Sequence, residues 1–386
     1  MRLLSRLAGA RRSVFIPHWQ DNSDPPDGDA EDQVAPGEEG EDDRMYPVCF
    51  KRDTKMQTSV EMVLKPIEAF GSNLKIKGDR ADSLDIPATP ATAGDDKATI
   101  TNATCEAAFP NYVTRYDTLD IVWSLSTDGG QTWQEVGTSK NETFITLDDP
   151  ECDTLYRTVA YLATGNAGAG VDTEGEALDK TWGMFSSGDA PADVCGWNEQ
   201  SRQYDRPLHY YQHENGLNNT TVSGLLQDAD GQCHAWAELL KESWLANGVS
   251  GLSRTRIRPP VGYTRFAVKN IVFDDENPAF PDDDPWKYSR DDLDVYPPPE
   301  GAAGIPGQNM STPTLKLFER HFLSSHTVVG TGTAYYDPSY GITTTGAQDY
   351  TQKAVAAWEK DIGGVLHWRR VGTTPAAQLR FNQESW

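Results

Sequence analysis

The run Gly231-Gln232-Cys233-His234-Ala235-Trp236-Ala237-Glu238-Leu239-Leu240 sets a thiol at the start of a helix that has to be buried. Asp228, Asp230 and Gly231 upstream are turn-forming and capping residues. Ala235, Leu239, Leu240 and Trp244 then recur near a 3.6-residue period until Asn247-Gly248 stops the pattern. Backbone N–H groups left open in the first turn, with the positive end of the helix dipole, favour thiolate over thiol. A small buried cysteine used only for packing fits the same residues. What separates the two readings is a second segment further along the chain.

That segment runs from His321 through Ser324-Ser325-His326-Thr327-Val328-Val329-Gly330 and Thr331-Gly332-Thr333 to Tyr335-Tyr336-Asp337-Pro338-Ser339-Tyr340-Gly341. A β-branched and aromatic run, a Gly-Thr-Gly turn and a second run ending in Asp-Pro predict a β-hairpin. It brings a histidine on one strand beside a carboxylate on the next. A thiol, an imidazole and an orienting carboxylate are what nucleophilic acyl transfer requires: the imidazole takes the thiol proton, and the carboxylate fixes its tautomer and stabilises the imidazolium.

Gly-Gln-Cys with its Ala- and Leu-rich helix, Asn247-Gly248-Val249, the strand-like Ser253-Arg254-Thr255-Arg256-Ile257-Arg258, and Tyr336-Asp337-Pro338-Ser339-Tyr340-Gly341 together resemble the transglutaminase-like superfamily of papain-like folds. The resemblance covers residues 181–386. It implies an antiparallel sheet packed on the nucleophile helix and a Cys-His-Asp triad in which Cys233 and Asp337 match directly. Cross-linking members carry an aromatic residue directly after the cysteine, where this chain has His234.

Two histidines compete for the middle role. His321 stands sixteen positions before Asp337, similar to the family's spacing, in a lead-in Phe318-Glu319-Arg320-His321-Phe322 that also resembles the family. His326 has the simpler geometry, because a turn at Thr331-Gly332 would set it directly across from Asp337. On one regular strand the two would face opposite sides, so only one can serve. His321 is favoured, with His326 as the alternative base. His234 is expected to point away from Cys233, because consecutive helix positions do not share a face. For the oxyanion hole, the Cys233 N–H would be joined by a side-chain donor. The candidates are Gln227, six residues before Cys233 as in papain-type proteases, and Trp197, where cross-linking transglutaminases place an indole.

The formal net charge of -24 argues against nucleic acid as a partner, since phosphate binding draws on clustered Lys and Arg. No apolar run reaches the length of a membrane span. Met1 to Trp19 carries four Arg without the continuous apolar core of a secretory signal, which leaves a cytoplasmic protein or one secreted with a non-standard or missing signal. Of five cysteines, Cys49, Cys105, Cys152 and Cys195 could make two disulfides beside a reduced Cys233. Cys105 and Cys152 would both fall in one domain, and five reduced thiols is the other reading. No CxxC or HExxH spacing supports a metal, and no cofactor is expected.

Residues 1–45, acidic and Pro/Gly-rich from Gln20 to Arg44, are expected to be disordered. Residues 46–175 carry short alternating runs at Thr99-Ile100-Thr101, Leu119 to Leu125, Thr143 to Leu147 and Leu155 to Leu162. These predict an immunoglobulin- or fibronectin-like β-sandwich. Ser126-Thr127-Asp128-Gly129-Gly130-Gln131-Thr132-Trp133 resembles the Asp-box of sialidase propellers, but it occurs once, so it reads as a hairpin turn with a packed Trp. Phe273 to Gln308 is too long for a simple connection. Its Asp282-Asp283-Asp284 lacks the spaced ligands and Gly of a calcium loop, leaving a solvated acidic loop or a lid. The fold expected is an all-β sandwich followed by an α+β papain-like, transglutaminase-like domain. Its function would be thioester chemistry on the amides of a protein or peptide substrate, hydrolytic before cross-linking. The alternative is an inactive binding or adhesion module.

Overall fold

Alternation of apolar and polar positions writes most of this chain into strands. In β3 (Lys55–Val63), Met56, Thr58, Val60 and Met62 are buried while the residues between them are not, which is the period of a strand with one covered face. The computed structural model describes residues 3–8, 48–63, 73–80, 84–94, 97–152, 155–165, 170–186, 194–198, 200–201, 203–210, 219–268, 322–370 and 378–384. The chain is β-rich with few helices among these residues. It divides into two compact units, 1–177 with 246–248 and 178–245 with 249–386.

In the first unit one antiparallel sheet has the order β1 (Leu3–Ala8), β3, β7 (Lys97–Ala108), β6 (Thr92–Gly94). A second runs β10 (Gln134–Ser139), β9 (Ile121–Ser126), β4 (Lys75–Asp79), β5 (Ile86–Pro90). A third joins β2 (Val48–Lys51), β11 (Thr143–Thr146) and β8 (Thr114–Tyr116), with β2 parallel to β11. Val60, Met62 and Ile100 from the first sheet share one core with Ile76, Ile121 and Trp123 from the second. The Asp-Gly-Gly segment is the turn between β9 and β10: Asp128 accepts from Gln131 N and Thr132 N, and Gly129 and Gly130 sit at φ 78 and 100. Trp133 at its end is half-buried under the Lys77 ammonium.

Three expectations change here. Leu3–Ala8 is not disordered but pairs with β3, from Leu3↔Met62 to Ala8↔Gln57; the acidic stretch Gln20 to Arg44 lies outside the described residues. Leu155 to Leu162 is not a strand. It enters α1 (Arg157–Thr164), in which all but Tyr161 are buried. A segment covered on nearly every side has no periodicity to distinguish helix from strand, and Arg157 is buried because Glu142 Oε2 accepts from its Nε at 2.7 Å. Cys105 and Cys152 form no disulfide, and all five cysteines are thiols. The Cys105 sulfur instead accepts from Met56 N at 3.1 Å and donates to Ala107 O at 2.8 Å.

The second unit begins within α2 (Glu174–Ser186) and holds two larger antiparallel sheets. One has the order β21 (Ile342–Thr344), β20 (Tyr335–Asp337), β19 (His326–Gly330), β16 (Ser253–Arg258), β24 (Arg380–Glu384). The other runs β18 (Phe322–Leu323), β17 (Arg265–Val268), β22 (Val355–Ile362), β23 (Val365–Arg370). Two short pairs, β12 (Cys195–Asn198) with β13 (Gln203–Pro207) and β14 (His209–Tyr210) with β15 (Asp230–Gly231), precede the central helices. These are α3 (Val222–Asp228) and α4 (Cys233–Ala246), and α5 (Ala347–Ala354) follows β21. No described helix is long and apolar enough to cross a membrane.

Helix α4 is buried through Ala235, Trp236, Leu239, Leu240 and Trp244. Its far end is tied to the hairpin by aromatic edges: Tyr336 of β20 meets the Trp244 ring at 5.1 Å and the Trp182 ring of α2 at 5.2 Å. Such edge-to-face pairs add directional attraction to the area they bury. The hairpin is thereby held against the helix one residue away from Asp337. A Trp244→Ala substitution would open a cavity at this joint and should lower the unfolding free energy by about 3–5 kcal/mol, read from the denaturant midpoint. A loss below about 1 kcal/mol would mean the joint is not structural.

Candidate active site

The start of helix α4 is fixed largely by Asn219. Gln232 N donates to Asn219 O at 2.9 Å, and the Asn219 amide donates to Asp228 Oδ2 at 2.7 Å and Asp230 O at 2.9 Å, which fixes the turn from α3 into α4. Gln232 O accepts the first helical bond from Trp236 N at 3.1 Å, so Cys233 opens the first turn. Gly231 allows the close passage: a Cβ there would sit 3.1 Å from both Ala235 Cβ and Leu225 Cδ1. Glu238, one turn on, accepts from Val222 N at 2.8 Å and so caps α3 from α4.

Against this helix start the sheet delivers His326 and Asp337. Nε2 of His326 lies 2.9 Å from both Asp337 carboxylate oxygens, and both residues are fully buried. The observed register is Gly330↔Tyr335 and Val329↔Tyr336. Continued by one pair, it sets Asp337 across from Val328 rather than His326. The expected direct pairing of 326 with 337 is therefore off by two residues, because the turn takes Thr331 to Ala334, closed by Thr331 N to Ala334 O at 3.0 Å. His326 and Val328 share a face, and a diagonal neighbour remains within reach of an imidazole.

The carboxylate has two further donors. Tyr350 of α5 donates its hydroxyl to Asp337 Oδ2 at 2.6 Å, and Ser339 N donates to Oδ1 at 3.0 Å. Burial first, then the charge of Asp337, holds the Tyr350 hydroxyl well above its ordinary pKa, so it stays a proton donor. Tyr340 covers the imidazole, its ring centroid 5.3 Å away.

Nε2 of His326 is committed to Asp337, and its buried Nδ1 makes no hydrogen bond. The ring and the sulfur each favour the other's charged form. Burial pushes the Cys233 thiol up, but the charge of His326 and the hydrogen bond from His234 outweigh it and bring the pKa down to about 6. Burial pushes His326 down, but the charges of Asp337 and Cys233 outweigh it and raise the pKa to about 10. Between these values the coupled pair is thiolate and imidazolium.

Cys233, His326 and Asp337 are thus brought together. His321, the favoured base, lies outside the described residues. Phe322–Leu323 belongs to β18, paired with β17, while His326 begins β19 in the other sheet. His234 does not point away: its Nδ1 is 3.7 Å from the Cys233 sulfur. The facing rule describes interior turns, and at the open first turn the imidazole can fold back over its neighbour. Gln227 is exposed at the end of α3, where its carbonyl accepts from Arg206 Nη2 at 2.7 Å. Trp197 is buried on β12 with its ring 5.1 Å from Tyr204. Tyr350 was not identified from sequence; a lone tyrosine in a short polar helix carries no motif. The described residues hold no cluster of three metal-ligating side chains, and the acidic Asp282-Asp283-Asp284 lies outside them. No family model matches the chain, and no curated protein matches it significantly.

The thiolate makes a pH signature. As pH rises through about 6 the thiol ionises, so alkylation of Cys233 by iodoacetamide should rise with a midpoint near that value and not near the ~8.5 of an ordinary thiol. Peptide mapping of the alkylated residue at each pH measures it.

Proposed function

We propose that this protein is a cysteine acyl-transfer enzyme of transglutaminase-like type, with Cys233 as nucleophile, His326 as acid and base, and Asp337 as orienting group. The observation that carries the reading is the buried His326, held by Asp337 at 2.9 Å through Nε2 and coupled electrostatically to Cys233. The first unit is proposed as an immunoglobulin- or fibronectin-like sandwich serving as spacer or binding module, and the second as the papain-like domain.

In the resting pair the thiol proton resides on His326. The thiolate attacks an amide carbonyl, the C–S bond forms, and negative charge gathers on the carbonyl oxygen, which the Cys233 N–H at the open helix start is placed to receive. Collapse breaks the C–N bond as His326 gives its proton to the leaving amine. The neutral imidazole then takes a proton from water, whose oxygen attacks the thioester and releases the acid and the thiol. An acceptor amine in place of water would give cross-linking by the same steps. Hydrolysis is the favoured outcome, since His234 stands where the cross-linking members carry an aromatic residue. Gln227 and Trp197 remain candidates for the second oxyanion donor. The substrate class is a protein or peptide amide.

An activated ester offered to the full chain should give an acyl adduct on Cys233, visible as a mass increase of one acyl group. Cys233→Ala should abolish it, and Asp337→Asn should slow its formation by about 10²–10⁴-fold. Competition between water and a primary amine for the trapped adduct separates hydrolase from cross-linker. No adduct in the intact chain would leave the binding-module reading standing in its place.

A further inference from the structure

The residue after the nucleophile is chemically active in its own right. His234 is half-buried, on the same first turn as Cys233, while Cys233 and His326 are closed from solvent. Its Nδ1 stands 3.7 Å from the Cys233 sulfur, inside the range of a hydrogen bond to sulfur. His326 approaches from a different element, β19, and its Nε2 is committed to Asp337. A sulfur that has passed its proton to His326 can only accept, so Nδ1 of His234 must be the protonated nitrogen in that state.

We propose that His234 is a second catalytic imidazole, donating from Nδ1 to the Cys233 sulfur so that the nucleophile is held between two imidazoles from separate elements. This rests on the reading of Cys233 as nucleophile. The titratable groups that act on that sulfur among the described residues are His234 on its own helix, His326 from β19, Tyr350 from α5 and, through His326, Asp337 from β20. Of these, His234 is the one that also reaches solvent. The two imidazoles therefore differ in kind. His326 exchanges its proton with the sulfur under the control of Asp337, and His234 supplies a donor that stays in place when His326 is removed.

The test compares alkylation rate against pH for Cys233 in the full chain, using iodoacetamide as the probe. The forms are wild type, His234→Phe, His234→Asn, His326→Ala and the His234→Phe, His326→Ala double variant, with circular dichroism to check folding. Asn places an amide N–H where Nδ1–H stood, so it separates the donor from the imidazole. The expected result at about pH 6 is a rate some 3–10-fold lower in His234→Phe, largely restored in His234→Asn. His326→Ala should remain more reactive below pH ~8 than the double variant. A His234→Phe profile superimposed on wild type, or His326→Ala indistinguishable from the double variant, would overturn the proposal while leaving Cys233 a nucleophile. If His234→Phe does not fold, His234→Ala, alone and combined with His326→Ala, removes the same donor and decides it by the same criteria. A wild-type Cys233 that labels only like an ordinary thiol would instead sink the underlying reading.

Discussion

The buried contact between His326 and Asp337 is the interaction on which the candidate site depends. An imidazolium closed from solvent is costly on its own, because burial favours the neutral ring. The carboxylate at 2.9 Å reverses that preference, and the thiolate on the other side strengthens the reversal. The same cost applies to Asp337, which is met by three donors: His326 Nε2, Ser339 N and the Tyr350 hydroxyl. A buried carboxylate satisfied this fully is rigid as well as charged, and rigidity is what fixes the imidazole toward the sulfur.

Much of the second unit can be understood as support for that contact. The β19–β20 turn sets the diagonal that joins residue 326 to residue 337. Helix α5 brings Tyr350 under the carboxylate, and Tyr340 closes the ring from one side. On the opposite face of β20, Tyr336 packs against Trp182 and Trp244, so the strand that carries Asp337 is fixed to the helix that carries Cys233. Alternate residues of one strand thus do separate work, one in the site and one in the joint. The helix start adds the open N–H groups and His234.

What the sequence disclosed follows from how local each signal is. The helix from Cys233 to Ala246 was legible because its apolar positions and its Asn-Gly stop are contiguous in sequence, and Asp337 because Asp-Pro punctuates a strand end. The choice between His321 and His326 was harder, since register depends on two residues in a turn and the chain changes sheets between Leu323 and His326. Helix α1 carries no helical signal in the sequence, because a segment buried nearly all round has no amphipathic period. Tyr350 and the fold-back of His234 depend on packing between distant or end-of-helix groups, and no spacing in the sequence encodes them.

The most direct test of the ion pair is the protonation state of the His326 ring, read from its imidazole ¹⁵N shifts at a pH of about 8, midway between the values of the coupled pair. Both ring nitrogens protonated at that pH, and a ring that becomes neutral at a lower pH in Cys233→Ala than in the intact chain, are the expected results. A neutral His326 ring at about pH 8 in the intact chain would contradict a thiolate–imidazolium site.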